Sequence, residues 1–261
     1  MRAYLCLAVT IAAAVPAAAQ ERPFLFSIAT TPDAKPAVRV DYDVGVGERA
    51  FQSDSGNEPE QRIGVQASRG RLTFLGRFGI ADVGSAYHRS QSGEILYSLL
   101  GSRSPLYVAA GGGLLHEPGG ANVLLGRITA ARETDTWKLH GNVVFQKPIA
   151  SDRDTVDLVT SVGWARDLSR AVALGVEAVG EDLEGFWEGH EAEGGARLLV
   201  GPSVHVAPAG RRWQLNATGG PLFHPSNTSR SSDAFRDLPP ETTRVSYALK
   251  IALSISLVNA R

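Results

Sequence analysis

His224-Pro225-Ser226-Asn227 sets an imidazole two positions ahead of a hydroxyl. On an extended chain those side chains project to one face, as general-base activation of a serine requires. A second group is acidic: Glu181-Asp182-Leu183-Glu184-Gly185-Phe186-Trp187-Glu188-Gly189-His190-Glu191-Ala192-Glu193 carries six carboxylates and one histidine. Carboxylate oxygens hold calcium, but this spacing matches no calcium loop, and a solvated external loop is the default reading. The third group is dispersed. Arg39, Asp41, Asp43, Arg77, Glu94, Arg127, Lys138, His140, Asp157, Glu177, Arg197, His205, Arg212, Arg244 and Lys250 occupy the polar parity of alternating runs. Such a set either lines a water-filled path and biases which solutes enter, or pairs across strands and fills a narrow interior. Basic residues outnumber acidic ones in it, so a conducting path would favour anions. There is no Cys or His zinc spacing, no phosphate-cradling glycine loop and no nucleotide fingerprint, so no metal and no cofactor are expected.

The dispersed charges need elements that keep them on one face. Between Thr242 and Leu257, Val245, Tyr247, Leu249, Ile251, Leu253, Ile255 and Leu257 take one parity, and Arg244, Ser246, Ala248, Lys250, Ala252, Ser254 and Ser256 the other. Period 2 is the signature of a strand with one greasy face, and this run is long enough to cross a bilayer. The pattern recurs. Val38, Val40, Tyr42, Val44 and Val46 oppose Arg39, Asp41 and Asp43; Trp213, Leu215 and Ala217 oppose Arg212, Gln214, Asn216 and Thr218. About twelve strands are expected, near 36–47, 61–68, 71–82, 92–101, 104–115, 121–131, 135–147, 155–166, 170–181, 194–206, 211–222 and 242–257, an even number as bacterial barrels require. Connectors alternate between long (48–60, 83–91, 148–154, 182–193, 223–241) and brief, the asymmetry of external loops and periplasmic turns. The fold class is therefore all-β: a single antiparallel up-and-down transmembrane β-barrel with a polar lumen.

Residues 1–19 read as a signal peptide: Arg2, an apolar stretch from Leu5 to Val15, then Pro16 and Ala17-Ala18-Ala19 ahead of Gln20. Residues 20–35 are expected to form an N-terminal lead-in or plug, and 36–261 the barrel. The single cysteine, Cys6, lies within the signal, so the mature chain has no thiol. A formal net charge of −1 argues against a nucleic-acid partner. Tyr42, Trp137, Trp164 and Trp213 fall near strand ends, where an interfacial aromatic belt would want them.

Two resemblances follow. His224-Pro225-Ser226-Asn227 resembles the His-X-Ser-Asn element of outer-membrane lipid A deacylases, which implies Ser226 as nucleophile, His224 as base and Glu241 as the nearest orienting carboxylate. Those enzymes resemble small eight-stranded barrels, and this chain has too many strands. The export signal, the strand rhythm and the segment Ala173 to Asp237, with Leu174-Gly175-Val176-Glu177, Gly201-Pro202-Ser203 and Arg236-Asp237-Leu238-Pro239-Pro240, look like bacterial outer-membrane β-barrel proteins of the porin-like or transporter kind. That likeness implies residence in a Gram-negative-type outer membrane, contact with its lipid and lipopolysaccharide, and small solutes as cargo. The expected function is a passive channel or small-solute transporter rather than an enzyme. A lipid hydrolase at the rim, or an adhesive barrel acting through 182–193 and 223–241, are the alternatives. The chain departs from many such proteins by lacking a terminal aromatic residue, ending Leu257-Val258-Asn259-Ala260-Arg261.

Overall fold

The computed structural model describes residues 22–31, 34–47, 60–83, 86–101, 104–117, 121–149, 156–187, 196–224 and 245–258. Twelve strands lie among them: β1 (Ala34–Gly47), β2 (Glu60–Gly70), β3 (Leu72–Val83), β4 (Ala86–Ser98), β5 (Tyr107–His116), β6 (Asn122–Glu133), β7 (Trp137–Pro148), β8 (Asp157–Asp167), β9 (Val172–Glu181), β10 (Arg197–Val206), β11 (Trp213–Phe223) and β12 (Val245–Val258). Each pairs antiparallel with its sequence neighbours, and β1 closes on β12 from Val38↔Val258 to Gly47↔Ala248. Closure removes both sheet edges, so every ladder bond is made within the wall, as hydrocarbon surroundings demand.

The oily parity faces out. Along β12, Val245, Tyr247, Leu249, Ile251, Leu253, Ile255 and Leu257 are all exposed, while Ala252, Ser254 and Ser256 are buried. The same sense holds on β1, β7 and β11, where Tyr42, Leu139, Phe145, Trp213 and Leu215 are exposed and Arg39, Asp41, His140, Asn142, Gln214 and Asn216 are buried. The strands run from 10 to 14 residues, enough for a tilted strand to span roughly 30 Å of hydrocarbon. Trp137 and Trp213 open β7 and β11, and Trp164 stands opposite Leu139, so three indoles gather toward the short-turn end.

Two connectors differ from expectation. The stretch 83–91 is not a long loop: β3 and β4 stay paired out to Val83↔Ala86, leaving 84–85 between them. Backbone pairing continues there although the apolar/polar rhythm lapses, because a hairpin rising beyond the hydrocarbon no longer needs a greasy face. Between β4 and β5 the link runs from Leu99 to Leu106, longer than the expected Ser102-Arg103 turn. β1 begins at Ala34, two residues ahead of the expected 36. The Gly111-Gly112-Gly113 run lies in β5, where a Cβ at Gly113 would run into the Gly93 carbonyl of β4. That tight approach is what the missing side chains there permit.

Candidate channel lumen and its inner segment

Inward-pointing charges meet in pairs. Arg127 on β6 clasps Glu94 on β4 through Nε (2.6 Å to Oε2) and Nη2 (2.9 Å to Oε1), with Arg77 of β3 on the other side at 4.0 Å. Arg39 donates to Asp41 (2.9 Å) and Gln66 (2.8 Å). Arg62 donates to Glu60 (2.7 Å), and Lys250 stands 3.8 Å from Asp43. Toward the rims, Arg197 pairs with Glu181 (3.4 Å), Lys138 with Asp167 (3.1 Å), and His140 with Glu133 (2.8 Å); His205 bonds Asn216 (2.6 Å). Buried charges are tolerated when paired and hydrogen-bonded in this way.

Residues 22–31 run inside the barrel without joining the sheet. The Arg22 amide donates to Gln214 Oε1 (3.0 Å), and its guanidinium reaches Asp43 (3.1 Å) and Asp41 (3.4 Å). Three successive amides, Leu25 (3.1 Å), Phe26 (2.6 Å) and Ser27 (3.0 Å), donate to the carboxylate of Glu177 on β9, which also accepts the Thr218 hydroxyl (3.0 Å). Consecutive N–H groups converging on one anion form a backbone nest. Asn142 on β7 treats Ile28 as a strand partner would: its Oδ1 accepts the Ile28 amide (3.1 Å) and its Nδ2 donates to the Ile28 carbonyl (2.9 Å). Ser161 donates to the Phe26 carbonyl and accepts from the Ser27 hydroxyl (3.1 Å), and Ser98, the last residue of β4, donates to Thr30.

Apolar side chains of this segment find matching dents. Phe24, fully buried, lies against Ala165 and Ala173, edge-on to His140 at 4.9 Å between ring centroids. The wall beneath it is Gly163, where a Cβ would stand 2.5 Å from the phenyl ring. Ile28 packs on Leu75, Leu96 and Ala109; Phe26 packs beside Val179, Leu199 and Leu222, with the Lys250 ammonium 5.5 Å from its ring centre. A cavity of about 20 Å³ remains between Arg22, Ile28 and a wall carrying Arg39, Asp41, Asp43, Arg62 and Arg77. That is room for roughly one water.

Of the residues singled out in sequence, Arg39, Asp41, Asp43, Glu94, Arg127, Lys138, His140, Asp157, Glu177, Arg197 and His205 are buried within the wall. Arg77 and Lys250 are less enclosed, and Arg212 sits half-buried at the foot of β11. Arg244 lies outside the described residues, as do Ser226, Glu241 and the 188–193 part of the acidic stretch. His224 is buried at the end of β11, its Nε2 3.5 Å from Ser246 Oγ. In the acidic stretch Glu181 is taken by Arg197, and Asp182 accepts the Leu158 amide (3.1 Å). Sequence reasoning passed over Arg22, Arg62 and Glu60. Arg62 shares the parity of Gln66 and was open to detection; Arg22 precedes a short run, Phe24 to Thr30, whose alternation also fits an extra strand, and lies outside every expected strand.

A closed twelve-strand antiparallel barrel with apolar rows outside and paired charges inside has the build of an outer-membrane β-barrel. No family model matches the chain, and none of the curated proteins does. Solved structures share the fold: the NanC porin (TM-score 0.57, 6% identity, covering 83% of this chain and 98% of that one), the KdgM porin in complex with disordered oligogalacturonate (0.56, 7%, 83% and 98%), and the COG4313 outer membrane channel from Pseudomonas putida F1 (0.51, 9%, 91% and 100%).

Proposed function

We propose that this protein is an outer-membrane channel for small acidic solutes. Its outward rows would face lipid and lipopolysaccharide, and Arg39, Arg62, Arg77 and Lys250 would steer anions along the lumen. The reading rests on one observation above all: three wall guanidiniums, Arg39, Arg62 and Arg77, line the residual cavity against two wall carboxylates, Asp41 and Asp43, and Arg22 of the inner segment adds a fourth cation there. Fixed charge of one sign around a constriction raises the local concentration of the opposite ion. The KdgM porin, which shares the fold, is known in complex with disordered oligogalacturonate, an acidic oligosaccharide. A planar-bilayer experiment under a KCl gradient tests the proposal. Anion selectivity, with current reduced by added galacturonate oligomers and not by neutral sugars, is the expected outcome; a reversal potential of the cation-selective sign refutes it.

A further inference from the structure

We propose that residues 22–31 are the gate of this channel, a strap clamped shut by Glu177; the proposal rests on the channel reading above. The first support is the kind of bond involved. Every hydrogen bond described between the strap backbone and the wall uses a wall side chain: Gln214, Glu177, Asn142 or Ser161. The inter-strand ladder uses backbone partners and closes on itself around the barrel. Withdrawing the strap therefore exchanges side-chain bonds for water and leaves every strand pair in place.

The second support is fit. An inward wall built for a permanently water-filled pore has no use for a bare patch at Gly163, Ala165 and Ala173, yet Phe24 fills that patch. Phe26 and Ile28 sit against further apolar wall residues on a face that carries most of the chain's buried charges. Exposing those dents to water opposes withdrawal, so openings of the unmodified protein are brief and infrequent.

The third support is the clamp. One carboxylate holds three consecutive amides, so a change at a single wall position loosens the middle of the strap. With an amide in its place, the three donors no longer face a full negative charge, and charge-assisted bonds are the stronger kind.

A covalent lock provides the test. Ser27 Oγ and Ser161 Oγ are 3.1 Å apart, and the chain's one cysteine, Cys6, lies in the expected signal. The full-length protein carrying Ser27→Cys and Ser161→Cys is reconstituted in a planar bilayer and recorded oxidised, then reduced by dithiothreitol. Glu177→Gln is recorded in parallel. The gate predicts at least tenfold fewer openings when oxidised, recovery on reduction, and more frequent openings than wild type in Glu177→Gln. Equal conductance in the oxidised and reduced states overturns the gate and leaves the channel reading standing. No conductance in wild type, in the reduced pair or in Glu177→Gln overturns the channel reading and the gate with it. Conductance in Glu177→Gln alone supports the gate.

Discussion

Phe24→Ala is the sharpest probe of how the inner segment is held, and it does not depend on conduction. The phenyl ring is fully buried between Gly163, Ala165, Ala173 and the edge of His140. Truncating a fully buried phenylalanine costs about 3–5 kcal/mol, and partial refilling by water argues for the lower end, about 3 kcal/mol. At roughly 1.4 kcal/mol per tenfold, the docked-to-undocked ratio of the segment falls about a hundredfold. Strand pairing contains no contribution from Phe24, so the barrel keeps its stability. Hydrogen exchange read by mass spectrometry on the protein in lipid vesicles separates the two. The amides of Leu25, Phe26, Ser27 and Ile28 are each bonded to a wall side chain, and their protection follows the docked fraction. About a hundredfold faster exchange of the peptide holding them, with strand peptides unchanged, is the expected result. Unchanged exchange of that peptide refutes the reasoning, and so does equal acceleration across the strands, since the ring would then be supporting the barrel rather than the segment.

Two further outcomes follow from the wall. Glu94→Ala leaves Arg127 and Arg77 facing each other without a carboxylate, and breaking a buried pair costs about 3–5 kcal/mol; a lower midpoint in denaturant unfolding from vesicles checks this, with Glu94→Leu/Arg127→Met expected to recover most of the loss. Ile251→Arg puts a charge on the outward parity near the middle of β12, at a cost of about 2–4 kcal/mol at the bilayer midplane; Ala252→Ser on the inward parity should cost far less in the same folding assay.

Sequence-level reasoning left the charged set between two uses, lining a path or pairing across strands. The structure favours neither alone. Arg127 with Glu94, and Arg197 with Glu181, are pairs of the second kind, while Arg77, less enclosed, lines a residual space. Inward apolar residues were the missed signal. Val123, Leu125 and Val144 cluster on the inner face, as do Leu199 and Leu222, on the parity that elsewhere carries charge. In β6 the parity is mixed because both faces carry apolar residues, Val123 and Leu125 inward, Leu124 and Ile128 outward. Leu199 and Leu222 are inward residues of this kind that the inner segment covers, through Phe26.

Barrel, strand number and inside-outside sense were legible in the chain because two solvents act on every strand independently. Each residue's polarity reports which solvent it meets, and period 2 repeats that report in most of the strands. Residues 20–35 hold only a short repeat, Phe24, Phe26 and Ile28 against Ser27 and Ala29, and it does not say which surface that row meets. Where Phe24 lies, and which carboxylate meets the amides of 25–27, depends on Gly163 and Glu177, positions more than a hundred residues away. No local pattern encodes a pairing of that range; it exists once closure of β1 on β12 has brought the walls around the segment.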